Sequence, residues 1–242
     1  ADFDPLALAH GLMTYLEAYP YGCTEQLVSK TLPAIVLRGR PEFALGPKDV
    51  EERVGRVFGM LRARQAPDGA FGYWDANSMV SDMQSAYAVH FLLEARDRGY
   101  AVPVDLLEKG LSYLRALPDG GGTDLSQARL RAYGLYLLTR SGERTTNALS
   151  SLRERLEDAK SVWKPDLAGV YLAASYKLLR LDAESDKLIA AARFGQTGSD
   201  DPVRFHDGLM RESQLLYLLS RHFPNRLDAV GPKAIRSVVD PI

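Results

Sequence analysis

The residues of this chain best placed to do covalent chemistry lie in one octapeptide, Tyr19-Pro-Tyr-Gly-Cys-Thr-Glu-Gln26. It holds the single cysteine, Cys23, and a carboxamide, Gln26, three residues further on. A lone cysteine in a helical protein is ordinarily a small, inert, buried hydrophobe, and that reading stands as the plain alternative. Against it, Pro20 and Gly22 bracket the site with constrained and permissive backbone, which predicts a sharp bend just before Cys23. Cys23 would then open a helix whose unpaired N–H groups and dipole favour a thiolate or a developing oxyanion. Residues three apart share one helix face, so Gln26 comes within reach of the sulfur.

A thiol beside a carboxamide has a reaction that a thiol alone lacks. The Cys23 thiolate can attack the Gln26 side-chain carbonyl and expel ammonia, leaving an intrachain thioester. The site then becomes an acyl donor, an electrophile that needs neither metal nor cofactor. Such a bond lasts only where water is excluded. Tyr19 and Tyr21 are placed to pack over it, and serve equally well as ordinary helix-entry or core aromatics. Glu25 could bond a first-turn N–H or the departing ammonia, or simply complement the helix dipole.

The elements that must position this motif are helices. Apolar residues recur at helical spacing almost throughout, separated by turns rich in Pro and Gly. The predicted helices run at about 5–18, 24–37, 48–64, 81–98, 104–116, 124–140, 143–158, 166–179, 183–193, 207–222 and, more weakly, 227–238. No segment reads as a convincing strand. Short connections predict antiparallel helix pairs. A small-residue and aromatic texture recurs in Gln84-Ser-Ala-Tyr-Ala-Val-His90, Arg131-Ala-Tyr-Gly-Leu-Tyr136 and Val170-Tyr-Leu-Ala-Ala-Ser-Tyr176. The fold class expected is all-α, an α/α toroid of about eleven helices within one domain over 1–242. Two proline-led turns, Gln65-Ala-Pro-Asp-Gly-Ala-Phe-Gly-Tyr-Trp74 and Leu117-Pro-Asp-Gly120, read as connectors between helix pairs.

Composition narrows the class. The chain has 242 residues, 46% hydrophobic and 25% charged, enough for a sizeable core. With 30 Lys+Arg against 31 Asp+Glu it lacks the basic footprint of a nucleic-acid or anionic-membrane binder. One cysteine allows no internal disulfide and no cysteine-built zinc site. No apolar run approaches a membrane span, so no direct membrane contact is expected of this chain. It starts Ala-Asp-Phe without Met, and is therefore expected to be a piece of a larger protein.

At this point the residues resemble a family. Gly22-Cys-x-Glu-Gln26 is similar to the thioester motif of the alpha-2-macroglobulin and complement superfamily, and the full octapeptide resembles its bacterial branch. The segments Gln65–Trp74, Ser85–Arg96, Arg131–Glu143 and Leu216–Pro224 resemble further family segments in the same order, so the likeness covers essentially the whole chain. It implies a thioester domain, an α/α toroid set in a much larger protease inhibitor. A protease cuts a bait region elsewhere in such a parent, and the exposed Cys23–Gln26 thioester captures the attacker through a lysine. Tyr19, Tyr21, Gly22 and Glu25 would support that bond.

The resemblance further implies a periplasmic parent, a lipoprotein on the inner membrane, whose other domains contact this one and which works beside a penicillin-binding protein. It also implies that the toroid is short of a closing helix. In one respect the chain departs from the hydroxyl-attacking members, which carry a histidine after the second Pro-Asp-Gly turn. Here that stretch, Asp119-Gly-Gly-Gly-Thr-Asp-Leu-Ser-Gln127, has none. His10, His90, His206 and His222 lie elsewhere and read as structural or surface residues. Transfer to amines is therefore expected.

Three other readings compete. An α/α-toroid enzyme, cyclase or glycosidase-like, would need clustered carboxylates, which the sequence does not show. A cysteine hydrolase would need a histidine converging on Cys23, and His90 is the one candidate on a central helix. A structural interaction module could carry the motif without ever cyclising it.

Overall fold

A computed structural model of the chain describes residues 5–118, 124–159, 162–195 and 207–230. These fold into eleven α-helices: α1 Pro5–Ala18, α2 Thr24–Leu37, α3 Pro47–Arg64, α4 Asp82–Asp97, α5 Val104–Ala116, α6 Leu125–Ser141, α7 Thr146–Asp158, α8 Leu167–Leu178, α9 Asp182–Ile189, α10 Gly208–His222 and α11 Pro224–Val230. A 3-10 turn, Pro41–Phe43, interrupts the α2–α3 connection. Among the described residues the β structure is limited to two isolated bridges, Gln65 with Phe71 and Gly72 with Val80. The all-α expectation therefore holds. None of these helices is long and apolar enough to cross a membrane.

The chain divides into two compact units, residues 1–114 and 115–242. In each, helices buried on nearly every side alternate with helices buried along one stripe. The first unit packs α2 against both α3 and α4. Almost every residue of α4 from Gln84 to Ala95 is buried, whereas α3 buries only Val50, Val54, Val57, Phe58 and Leu61. The second unit packs α6 on α8 and α8 on α10, with α7 and α9 outside them. There the sequence run of small residues and tyrosines explains the close approach: Tyr133 and Tyr171 stack with ring centroids 4.9 Å apart, and Tyr136 lies 5.7 Å from Tyr171. Burial pushes the Tyr171 phenol well above its ordinary range, and the hydroxyl donates to Gln214 Oε1 at 3.1 Å.

The helix starts follow N-cap chemistry. Asp124 accepts from Ser126 and Gln127 N–H, Asp166 from Ala168 N–H, Asp207 from Met210 N–H and Ser81 from Gln84 N–H. Asp166 also pairs with Arg129 at 2.8 Å, tying the start of α8 to α6. Three boundaries within the described residues differ from the sequence reading by three residues or more, one of them the end of α9, at Ile189 instead of 193. Glu143 does not begin α7, because Gly142 at φ +106 closes α6 and Glu143 N–H returns to Leu138 O at 3.1 Å. The last helix starts at Pro224, three residues earlier than its periodicity indicated, because proline suits a first helical turn.

Candidate functional site

The octapeptide lies between α1 and α2, within the first unit. Residues 19–23 are irregular, and Cys23, at φ −64 and ψ 169, is the N-cap of α2. Ser81, Asp124, Asp166 and Asp207 cap their helices with a side-chain oxygen, whereas the N-cap of α2 carries a sulfur. Gln26, at the third helical position, turns its side chain back in a capping-box arrangement. Its Oε1 accepts the Cys23 N–H at 3.0 Å. The carboxamide of Gln26 is thereby held at the Cys23 backbone, and Cys23 is itself buried with a free thiol. The pair read from spacing is brought together.

What holds the pair is largely the segment expected to be a mere connector. Thr24, wholly buried, donates its N–H to Tyr73 O at 3.0 Å and its hydroxyl to Gly72 O at 2.7 Å. Arg64, the last residue of α3, donates Nη2 to Gly22 O at 2.9 Å and Nη1 to Tyr73 O at 3.2 Å and Thr24 Oγ1 at 3.3 Å. One planar guanidinium thus joins both sides of Cys23 to the 65–74 turn. Burial lowers the Arg64 pKa, and the charge of Cys23 acts on it in the opposite sense. A cation so placed attracts negative charge developing on the sulfur.

The turn is fixed in its own right. Asp68 Oδ1 accepts the Ala70 N–H at 3.0 Å, and Gly69, at φ +94, occupies a backbone region that disfavours any side chain. A Cβ on Gly69 would stand 2.1 Å from Lys109 O of α5. Phe71 is fully buried and its backbone is bonded on both sides, N–H to Ser85 Oγ at 3.0 Å and C=O from Gln84 Nε2 at 3.0 Å. The turn is wedged between α4 and α5 and presents its carbonyls to Thr24 and Arg64.

The remaining candidates fall into place around this. Tyr19 and Tyr21 meet edge to face at 5.7 Å; Tyr19 is half-buried, while Tyr21 is 59% exposed. Lys30 Nζ donates to both of their carbonyls, at 2.5 Å and 3.3 Å, pinning the segment ahead of Cys23. Gly22 has a φ outside the left-handed region, and a Cβ there would meet nothing within 4 Å. Its visible use is the carbonyl that receives Arg64, so the expected need for a permissive backbone is not where its role lies. Glu25 accepts the Ser29 hydroxyl at 2.7 Å, and Ser29 in turn lies 3.3 Å from the Tyr87 hydroxyl. Burial raises the Tyr87 pKa, with Glu25 adding to the effect. Together Tyr15, Leu16, Tyr19, Glu25, Gln26, Ser29 and Lys30 line a cleft of about 200 Å³.

The histidines take other partners. His10 bonds Glu42 O at 3.0 Å and stacks on Phe43, His90 lies 3.5 Å from Glu94 Oε1, and His222 Nε2 is 2.9 Å from the Tyr136 hydroxyl. His206 and residues 119–123 of the histidine-free 119–127 stretch lie outside the described residues. Among the described residues, no three His, Cys, Asp or Glu side chains group to hold a metal ion.

Comparison with known proteins decides the family. No family model matches the chain. Full-length curated relatives do. The chain is 37% identical over 246 residues to an alpha-2-macroglobulin homolog of Yersinia pestis, covering 99% of this chain and 12% of that protein. It is 36% identical over 244 residues to the alpha-2-macroglobulin of Rickettsia conorii, covering 98% of this chain and 13% of that one. The chain belongs to the alpha-2-macroglobulin family. It spans about one-eighth of the length of these relatives. The fold agrees: native Escherichia coli alpha-2-macroglobulin, from domain MG7 to the C-terminus, superposes with TM-score 0.75 at 23% identity over 90% of this chain and 36% of that one. Salmonella alpha-2-macroglobulin reacted with methylamine gives TM-score 0.72 at 22% identity, over 95% of this chain and 15% of that one.

Proposed function

We propose that this chain is the thioester domain of a bacterial alpha-2-macroglobulin and that Cys23 and Gln26 carry its warhead. The observation that carries the reading is the capping geometry, in which the Gln26 carboxamide folds back onto the Cys23 backbone at 3.0 Å. Closure joins the Cys23 sulfur to the Gln26 carbonyl carbon and releases ammonia. Arg64, bonded to Gly22 and Thr24 on either side of Cys23, places a cation where negative charge builds on the sulfur as the bond forms and opens. Thr24, Arg64 and the 65–74 turn hold the junction still, and the Tyr19 and Tyr21 rings stand ahead of it. Two relatives support the chemistry by analogy: the Salmonella protein reacted with methylamine, and an Escherichia coli alpha-2-macroglobulin activated by trypsin.

In the full-length protein the thioester would be exposed after bait cleavage, and a lysine of the attacking protease would displace the thiolate to leave an amide. Each molecule acts once, which makes it a covalent protease trap with no turnover. A periplasmic site, anchorage of the parent as an inner-membrane lipoprotein and work beside a penicillin-binding protein belong to the same proposal, resting on the family likeness. The acyl acceptor is an amine, because no histidine stands in the 119–127 stretch to pass the acyl group to a hydroxyl. Offered methylamine or glycerol after activation, the full-length protein is expected to form the amide and little ester, read by mass at Gln26. Efficient ester formation with glycerol would contradict the amine assignment.

A further inference from the structure

The cleft beside Gln26 contains a carboxylate that the thioester chemistry has not used. Among the described residues no lysine, arginine or histidine pairs with Glu25. One of its oxygens is fixed by the Ser29 hydroxyl at 2.7 Å, and Ser29 is backed by Tyr87 at 3.3 Å. The carboxylate is therefore oriented without being neutralised. The cation that lines the cleft, Lys30, is committed to the carbonyls of Tyr19 and Tyr21. With its donors on two carbonyls ahead of Cys23, Lys30 forms no ion pair with Glu25 among the described residues. Tyr15, Leu16 and Tyr19 complete the wall with aromatic and aliphatic surface.

The geometry points to this cleft as the subsite for the attacking amine: Glu25 receives the incoming ammonium, and the Tyr15, Leu16 and Tyr19 wall receives its alkyl stem. A lysine side chain has both parts, a cationic tip and an apolar stem that packs on aromatic faces. The inference rests on the thioester reading above and names the nucleophile class that this site selects. The ammonium, bound at Glu25, gives up one proton to solvent. The freed amine attacks the Gln26 carbonyl carbon, a C–N bond forms, the C–S bond breaks, and the second proton ends on the Cys23 sulfur. The products are a Gln26 amide and a Cys23 thiol.

The test compares a cationic with a neutral nucleophile on the full-length protein. Methylamine is almost wholly protonated at neutral pH and hydroxylamine almost wholly neutral. The rate of thiol release is followed with each, for the wild type and for Glu25→Gln. The methylamine-to-hydroxylamine rate ratio is expected to fall about five- to tenfold in the variant, the size of one half-exposed charge contact. An unchanged ratio, including the case where both rates drop together, overturns the subsite and leaves Glu25 a structural role. Absence of thiol release from the wild type with either nucleophile would instead overturn the thioester reading itself. Should Glu25→Gln fail to cyclise, Ser29→Ala, which unfixes the carboxylate without removing it, is expected to lower the ratio by about two- to threefold, and no change there would overturn the subsite equally.

Discussion

Replacing Cys23 with alanine in the full-length protein is expected to abolish covalent capture of a protease while leaving the fold almost untouched. The sulfur is the only atom lost, and its absence removes the bond that makes Gln26 electrophilic. The stability cost is about 1 kcal/mol, because Cys23 is a small side chain and its sulfur is a weak acceptor in the capping box. Asp124 or Asp166, the caps of α6 and α8, would cost as much or more with no effect on capture. Denaturant unfolding together with a gel assay for the protease adduct separates the two effects. Residual adduct at wild-type level would show that acyl transfer runs through another residue.

The second large effect is expected away from the reacting atoms. Gly69→Ala places a methyl carbon 2.1 Å from the Lys109 carbonyl at a residue whose φ is +94. The left-handed backbone penalty and the steric overlap together cost about 3 kcal/mol or more. Neither neighbour can yield cheaply, since the contact is backbone against backbone across the turn and α5. The turn would have to back away from α5, taking with it the Gly72 and Tyr73 carbonyls that hold Thr24 and Arg64. The variant is therefore expected to lose both stability and the cyclised fraction, read by thermal unfolding and by the thiol titratable before any amine is added. Wild-type melting would mean that the turn does not brace the motif.

These two sites show what the sequence could and could not disclose. Cys23 and Gln26 were legible because their chemistry depends on a short spacing along one helix, and local spacing is what a sequence displays. The helices were legible for the same reason, with errors confined to ends such as Glu143, where a Gly142 cap closes α6. The 65–74 turn was read only as a connector, because its service to Cys23 runs through backbone carbonyls, which every residue possesses. Arg64 was missed altogether. At the end of an amphipathic helix an arginine is indistinguishable from a charge that complements the dipole, and its three partners lie 9, 40 and 42 residues away. Glu25 was noticed as a first-turn acid, but its unpaired state depends on where Lys30 spends its donors, and only the fold decides that.

The Arg64 and Glu25 placements also give the site a polarity. A cation stands on the sulfur side, joined to Gly22 and Thr24, and an anion stands on the acyl side within the cleft. The leaving thiolate thus meets a cation, and the positive charge that builds on the nitrogen as it attacks meets an anion.

The existence of the bond is the central claim, and the intact mass of the native full-length protein tests it most directly. The account expects a mass lighter than the sequence by one ammonia, restored by methylamine to the sequence mass with the amine in place of that ammonia, and one new thiol appearing at Cys23 in the same step. A native mass equal to that of the sequence, with Cys23 titratable from the start, would contradict it.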